Sequence, residues 1–219
     1  MSSEFTLYTH ASGPNGWKIA TILKALGLSY DSVYLDFNKV EHKGEEYTAK
    51  NPNGRIPTLV HNASGFTLWE SGAIITYLVE KYDTEHRISA ATPEEKYKQL
   101  QWLFFQASGQ GPYFGQAAWF KLFHSEKIPS AIERYEKEIG RVTSVLEKVL
   151  SQQPYLLGDK LTVADLAFIS WNNFAFGALL PAEVDLKTQY PAVYAWHNKL
   201  SELEYVKATN NEKAALANH

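Results

Sequence analysis

Residues Asn51-Pro52-Asn53-Gly54-Arg55-Ile56-Pro57-Thr58-Leu59 constrain the architecture more tightly than any other part of the chain. Asn-Pro and Asn-Gly pairs mark turns, whereas the run that begins at Thr58 is typical of a strand. Pro57 therefore stands where a turn enters a strand. Two backbone conformations fit that position: a cis peptide bond before Pro57, or a trans proline at the start of an edge strand.

Secondary-structure patterns on both sides of this turn alternate between strand and helix. Upstream, strand-like residues at 5–9 and 30–37 enclose a helical apolar periodicity over 17–26. Downstream, two strand-like runs parted by Asn62-Ala63-Ser64-Gly65 form a hairpin pattern, and a helical pattern covers 72–82. The order β-α-β, irregular segment, β-β-α predicts a thioredoxin-like domain of the α/β class.

A thioredoxin-like domain has a cis-proline at the position that Pro57 takes here. The cis form turns the backbone of the preceding residue outwards, so Ile56 can offer its N–H and C=O groups to an extended peptide ligand. We therefore predict a peptide-binding edge at Ile56.

The remainder of the chain has the pattern of an all-helical domain. A polar segment without periodicity follows the first domain, and helical patterns then cover 93–123, 129–150, 162–176 and 191–203. We predict a thioredoxin-like domain over 1–83, a linker over 84–93 and an all-helical domain over 94–219. At Thr162 a hydroxyl and, three residues on, the Asp165 carboxylate form a capping box, to which we assign a structural role.

Composition narrows the possible functions of these 219 residues. A net charge of −3 without a basic block argues against a nucleic-acid partner, and the absence of cysteine excludes disulfides and a protein thiol nucleophile. The histidines lack the spacing of metal ligands, so no metal is expected. With no leader pattern and no apolar stretch of membrane-spanning length, we expect a cytoplasmic protein without a membrane partner.

Glu70-Ser71-Gly72 opens the helix that follows the hairpin. A helix N-terminus offers free N–H groups and partial positive charge to a carboxylate, and Ser71 adds a hydroxyl donor. Glu70 can pair with an ammonium group beside that carboxylate. Together they fit the zwitterionic head of a γ-glutamyl group, although Ser71 alone also fits a plain helix cap.

Gly13-Pro14-Asn15-Gly16 separates the first strand from the first helix, where a thioredoxin-like domain carries its reactive sulfur. Because this chain has no cysteine, that sulfur must belong to the ligand. The Asn15 amide can donate a hydrogen bond to a thiolate there, with help from the helix dipole. The alternative is that Asn15 is only a turn residue.

The chain as a whole resembles the glutathione transferase family. The matching segments are Arg55-Ile56-Pro57, Glu70-Ser71 and Leu161-Thr162-Val163-Ala164-Asp165-Leu166. A finer likeness, to the subclass of a fungal nitrogen-catabolite regulator that is also a prion and to bacterial nu-class disulfide-bond reductases, rests on further segments. In the first domain they are Gly13-Pro14-Asn15-Gly16-Trp17-Lys18, Tyr34-Leu35-Asp36-Phe37, Glu41-His42-Lys43 and Trp69-Glu70-Ser71-Gly72-Ala73-Ile74. In the helical domain they are Trp102-Leu103-Phe104-Phe105-Gln106, Phe123-His124-Ser125-Glu126-Lys127-Ile128 and Ile132-Glu133-Arg134-Tyr135.

This resemblance implies a role for each candidate site residue. Asn15 takes the thiol-activating position, while nu-class enzymes add a threonine donor at the position of Gly13; Ser12, one residue earlier, is the candidate replacement. The implied glutathione-binding residues are Asn15, His42, Arg55, Ile56, Glu70 and Ser71. Among the many aromatic residues of the helical domain, we assign Tyr113, Phe114 and Trp119 to the acceptor site.

The implied activity is that of a glutathione transferase, with glutathione as co-substrate and a small hydrophobic or disulfide molecule as its partner. Conjugation, peroxidase and glutathione-dependent disulfide reductase activity all fit, and so does a role in detoxification. The resemblance also implies a homodimer. Two non-enzymatic alternatives are a regulator and a carrier of small hydrophobic molecules with the same fold.

Overall fold

The computed structural model describes residues 3–217. Its strands are β1 (Phe5–Thr9), β2 (Tyr30–Tyr34), β3 (Thr58–His61) and β4 (Thr67–Trp69). The helices among and after these strands are α1 (Pro14–Leu26), α2 (Glu45–Thr48) and α3 (Ser71–Tyr82), and a short 3-10 turn covers Glu41–Lys43. The predicted β-α-β, β-β-α order of a thioredoxin-like domain is confirmed.

The four strands form one mixed sheet in the order β2-β1-β3-β4. β2 is parallel to β1, whereas β3 is antiparallel to both β1 and β4. Alternate side chains of β1 are buried, and α1 and α3 pack together and against the sheet. The core so formed is mainly aliphatic, with fully buried side chains from Phe5, Leu7, Ile19, Ile22, Leu59, Ile74 and Leu78.

The second strand is shorter than its sequence pattern, because it ends at Tyr34 rather than at residue 37. The Asp36 carboxylate accepts the backbone N–H groups of Asn38 and Lys39, at 2.9 and 3.3 Å. A side chain that accepts hydrogen bonds from its own neighbouring backbone in this way favours a turn over continued pairing between strands. The strand therefore stops two residues before Asp36.

The later part of the described chain is helical. Its helices are α4 (Pro93–Phe105), α5 (Gly111–Ala118), α6 (Pro129–Leu150), α7 (Val163–Ala178), α8 (Leu186–Gln189), α9 (Pro191–Ser201) and α10 (Glu204–Ala217). The single helix expected over 93–123 is divided by π-helical turns at Gln106–Gln110 and Trp119–Phe123. Pro112 has no N–H for an α-helical bond at this point, which accounts for the first turn.

The chain forms two compact units, and the boundary differs from the predicted one at the C-terminal end. One unit spans Ile88–Glu202, and the other contains the chain up to Arg87 together with the chain from Leu203 onwards. Helix α10, which the sequence pattern did not reveal, packs on α1. Glu212 of α10 pairs with Lys24 of α1 at 3.0 Å and accepts the Tyr34 hydroxyl at 3.1 Å. No helix within residues 3–217 is long and apolar enough to cross a membrane.

The predicted capping box at the start of α7 is present, and it lies at the centre of a buried network. The Asp165 carboxylate accepts the backbone N–H groups of Thr162 and Leu156, each at 2.9 Å, and the Trp196 indole N–H at 3.0 Å. Burial nevertheless raises the pKa of Asp165. The carboxylate thus connects the start of α7 with α9 and with the loop that precedes α7.

Asp165→Ala should therefore lower the free energy of unfolding by about 3 kcal/mol or more, because it leaves several buried donors without an acceptor. Urea unfolding of the purified variant measures this loss. The matched control is Glu95→Ala. It removes the corresponding carboxylate from the capping box of α4, where Thr92 and Glu95 are exposed. An equal loss in both variants would show that the buried network adds nothing to the cap.

Candidate functional site

The sheet brings all the predicted binding segments of the N-terminal unit to one edge. Thr9, at the end of β1, pairs with Tyr34, at the end of β2. Thr58, at the start of β3, pairs with Tyr8 on one side and with Trp69, at the end of β4, on the other. The loops that follow β1, β2 and β4 and the loop that precedes β3 therefore meet at this edge.

The turn before β3 is fixed by two side chains that sequence reasoning did not assign to the site. The carbonyl oxygen of Arg55 accepts the Tyr47 hydroxyl at 2.6 Å and the Asn51 amide at 2.7 Å. Asn51 also donates to Thr58 at 3.0 Å, and both Asn51 and Tyr47 are buried. Asn51 was recognisable only as a turn residue, and Tyr47 only as part of an irregular segment.

This anchoring determines where the backbone of Ile56 points. The C=O of Arg55 and the N–H of Ile56 share one planar peptide group and point in opposite directions. Because the carbonyl is held on the Asn51 and Tyr47 side, the N–H faces away from it. Neither backbone group of Ile56 bonds to another residue within 3–217. The Ile56–Pro57 peptide is cis, as predicted.

Helix α1 begins very close to β1 and to this turn. A β-carbon on Gly16 would lie 1.7 Å from the Thr9 hydroxyl oxygen, and one on Gly13 would lie 2.7 Å from Cδ1 of Ile56. Gly13 is the N-cap without a side-chain bond, and Pro14 occupies the first turn. Glycine at both positions thus lets the N-terminus of α1, with Asn15, approach Ile56.

A cavity of about 290 Å³ opens between these loops. Four of the predicted site residues line it: Asn15, His42, Arg55 and Ile56. The rest of its lining is Pro14, Phe37, Lys43 and Gly54. Arg55 is exposed, and Lys43 donates to the Asn53 carbonyl at 3.2 Å, so two cationic side chains border the cavity.

Aromatic stacking organises the β2 side of the cavity. Phe37 lies between two imidazole rings, with centroid distances of 4.2 Å to His10 and 4.2 Å to His42. Burial, with Lys43 and other cationic groups nearby, lowers the pKa of His42. Nδ1 of His42 is buried and has no hydrogen-bond partner among the described residues. The neutral form of the His42 ring is therefore favoured, and Nδ1 can still form a hydrogen bond with a ligand.

Glu70, Ser71 and Ser12 do not line this cavity. Glu70 precedes α3 with a left-handed φ of 69°, and no side chain caps the helix, so its first N–H groups remain open to a ligand. Trp69 is paired with Thr58, which places Glu70 beside the strand that Ile56 enters. Ser12 lies in the turn before α1, where its hydroxyl is 3.0 Å from Nδ1 of His10.

The three predicted acceptor residues of the helical unit differ in their exposure to solvent. Phe114 is fully buried in a core with Ile139, Val142 and Trp171, so it presents no surface to a ligand. Tyr113 is half-buried, and Trp119 is 49% exposed. Tyr113 and Trp119 keep accessible aromatic surface, whereas Phe114 serves the core.

Comparisons with known proteins identify the family of the chain. Residues 3–80 match the family described as "Glutathione S-transferase, N-terminal domain", and residues 112–204 match "Glutathione S-transferase, C-terminal domain". Glutathione S-transferase 2 of Schizosaccharomyces pombe is 48% identical over 97% of both chains. The chain belongs to the glutathione S-transferase family.

Solved structures of this transferase family share the whole fold. Glutathione transferase URE2P6 of Phanerochaete chrysosporium, in complex with oxidised glutathione, is 53% identical with a TM-score of 0.95, over 98% of each chain. Ure2p5 of the same fungus, cocrystallised with 1-(S-glutathionyl)-2,4-dinitrobenzene, is 45% identical with a TM-score of 0.93 over 100% of this chain and 98% of that one. Transcriptional regulator URE2 of Saccharomyces cerevisiae is 38% identical over 88% of this chain and 63% of that protein. The predicted likeness to the subclass of the fungal regulator is confirmed.

Helix α1 contains a buried lysine. Lys18 of α1 is 1% exposed. Burial lowers its pKa to about 7, although the Glu70 carboxylate favours the charged form. Since its pKa in the unfolded chain is the ordinary 10.5, the unfolded state binds this proton more readily between about pH 7 and 10. The stability of the fold therefore increases as the pH rises through that window.

Lys18→Met should remove this dependence. The stability of the wild type relative to the variant should rise between pH 7 and 9.5, by at most about 1.4 kcal/mol per pH unit for a single proton. Denaturant unfolding at a series of pH values gives the two curves. The control is Lys187→Met, at an exposed position of α8, where the difference should stay constant. Parallel curves for Lys18→Met and the wild type would contradict the assignment.

Proposed function

We propose that this protein is a glutathione transferase that binds glutathione along Ile56 and activates its thiol for attack on electrophiles or disulfides. The observation that carries the proposal is the convergence of three groups at one sheet edge. They are the unbonded backbone of Ile56, the start of α1 with Asn15, and the start of α3 with Glu70 and Ser71.

Each part of glutathione has a chemically suitable counterpart in this proposal. The cysteinyl backbone pairs with the N–H and C=O of Ile56, as an added strand does. The γ-glutamyl carboxylate takes the N-terminus of α3 and the Ser71 hydroxyl, while Glu70 binds the ammonium group. The glycyl carboxylate lies toward His42 and Arg55, and the Lys43 ammonium reinforces that end.

Asn15 supplies the thiolate stabilisation. A free thiol with a pKa of about 8.5 is only about 3% ionised at neutral pH. Lowering that pKa by roughly 2 units requires about 2.7 kcal/mol of preference for the anion. One charge-assisted hydrogen bond contributes about 1.5–3 kcal/mol, and a helix N-terminus about 0.3–1 kcal/mol. The Asn15 amide and the start of α1 together are sufficient.

The acceptor substrate is a small hydrophobic electrophile or a disulfide, with Tyr113 and Trp119 as the aromatic contacts. The aryl conjugate and the oxidised glutathione held by the two Phanerochaete relatives support both reaction types. Peroxide reduction uses the same thiolate. We place this activity in the cytoplasm and assign it to detoxification, since conjugation turns an apolar electrophile into a charged, water-soluble product.

Asn15→Ala should reduce turnover at pH 7 by about tenfold to a hundredfold, the equivalent of one charge-assisted hydrogen bond. Because an amide donates to a thiolate but cannot take up a proton, the defect should shrink as rising pH supplies the thiolate. Rates with an aryl halide, a peroxide and a mixed disulfide between pH 6.5 and 9.5 measure this. A constant defect across that range would contradict the role of Asn15.

Glu70→Ala and Ser71→Ala serve as the complementary variants. They should weaken glutathione binding in calorimetry, whereas Asn15→Ala should leave the dissociation constant nearly unchanged. Failure of the wild type to bind glutathione would overturn the proposal. Tight binding without turnover of any of the three substrates would instead identify a regulator or carrier.

We also propose that the protein is a homodimer in which the N-terminal unit of one subunit meets the helical unit of the other. The support is an exposed aromatic face on α4, where Tyr97 is 74% and Phe104 is 69% exposed. These residues are two helical turns apart and so share one face. In the N-terminal unit, the exposed Phe66 of the β3–β4 hairpin is our candidate counterpart.

Replacing Tyr97 and Phe104 together by glutamate should then yield a monomer of 24.8 kDa in sedimentation, because charge is costly in an apolar interface. Tyr194→Glu, at an exposed tyrosine of α9, should leave the dimer intact. A wild-type protein that sediments as a monomer at micromolar concentration would rule out the dimer.

A further inference from the structure

The proposed thiolate mechanism leaves one proton without a destination, and this inference rests on that mechanism. Asn15 donates a hydrogen bond to sulfur, but a neutral amide does not accept a proton near neutral pH. Bulk water is a weak base. A side-chain base within reach of the thiol, directly or through one hydroxyl, would speed the ionisation step.

The turn before α1 contains a suitable pair, Ser12 and His10. The Ser12 hydroxyl oxygen lies 3.0 Å from Nδ1 of His10, and the Ser12 backbone N–H donates to the same nitrogen at 3.2 Å. A nitrogen that accepts a backbone N–H carries no proton of its own, so the Ser12 hydroxyl is also a donor to it. His10 is thereby held as the tautomer with its proton on Nε2.

The ring of His10 is held in place and remains basic. It stacks on Phe37, with an interplanar angle of 29°. Burial lowers its pKa, while the Asp36 carboxylate partly opposes that shift. The other titratable group facing it is His42, across Phe37, with Lys43 and Arg55 beyond. The neutral form of the ring can accept a proton at Nδ1.

Ser12 does not line the cavity itself, but it directly precedes Gly13, which borders the place where the cysteinyl residue is expected. The turn closes through a bond from the Gly13 N–H to the His10 carbonyl at 3.0 Å. Gly13 in turn adjoins Ile56, since a β-carbon there would lie 2.7 Å from Cδ1 of Ile56 and 3.5 Å from Cβ of His10. Ser12 thus lies in the turn that precedes α1 and adjoins Ile56 through Gly13.

We propose that Ser12 and His10 form a relay that removes the proton from the glutathione thiol. The S–H bond breaks as the proton passes to the Ser12 oxygen, and the Ser12 O–H bond breaks as its own proton passes to Nδ1 of His10. The products are a thiolate, held by the Asn15 amide, and an imidazolium. The imidazolium then loses its Nδ1 proton to solvent, and rotation of the Ser12 hydroxyl restores the starting state.

His10→Asn separates a relay from a merely structural role. The asparagine oxygen can replace Nδ1 as the acceptor for Ser12, but it cannot hold the proton. We expect glutathione affinity to be unchanged and turnover at pH 7 to fall by at least about tenfold, a modest share of what general bases contribute. Added imidazole should restore the rate in proportion to its concentration. Ser12→Ala should show the same loss and the same rescue.

The chain offers a matched control at His124. Its Nδ1 lies 3.1 Å from the backbone nitrogen of Glu126, the second residue on, and 2.9 Å from the Glu126 carbonyl oxygen, and its ring stacks on Phe120. His124→Asn should therefore change neither turnover nor its response to imidazole. A His10→Asn enzyme with wild-type rates at every pH, or with a loss that imidazole does not rescue, would overturn the relay. Because wild-type binding and turnover are measured alongside, that outcome is distinct from failure of the transferase proposal.

Discussion

The carbonyl oxygen of Arg55 is the atom on which the site depends. Two buried side chains, Tyr47 and Asn51, donate to it, and they connect it to Thr58 at the start of β3. A planar peptide group cannot turn one of its ends without turning the other. The protein thus presents the N–H of Ile56 to a ligand by binding the opposite side of the same peptide, and no conformational change at Ile56 is needed.

A chain without cysteine performs sulfur chemistry with groups that only donate, accept and orient. In the proposed mechanism, Asn15 contributes a donor, the start of α1 contributes partial positive charge, and the imidazoles on either side of Phe37 contribute nitrogen bases. The lowered pKa values of both rings favour their neutral forms, and in this proposal Lys43 and Arg55 are the cations that attract the anionic ligand. Attraction and proton transfer are assigned to different residues.

Much of this arrangement could be predicted from the sequence. Periodicity and turn residues predicted the strands, and the Ile56–Pro57 turn, the Glu70-Ser71 helix start and Asn15 pointed to a common ligand. The contributions of Tyr47, His10 and Phe37 were not predictable, because stacking and long-range hydrogen bonds leave no periodic signal. The division of the long helix near Pro112 and the burial of Phe114 likewise follow from packing within the helical unit, which local patterns do not encode.

Helix α10 gives the chain an unusual order of assembly. Its Glu212 binds Lys24 and Tyr34, residues that are synthesised almost two hundred positions earlier. During translation these contacts can form only after α10 has been made, and by then all of Ile88–Glu202 has been synthesised and can have folded. Of the two units, the one that contains the sheet is therefore completed after the helical one.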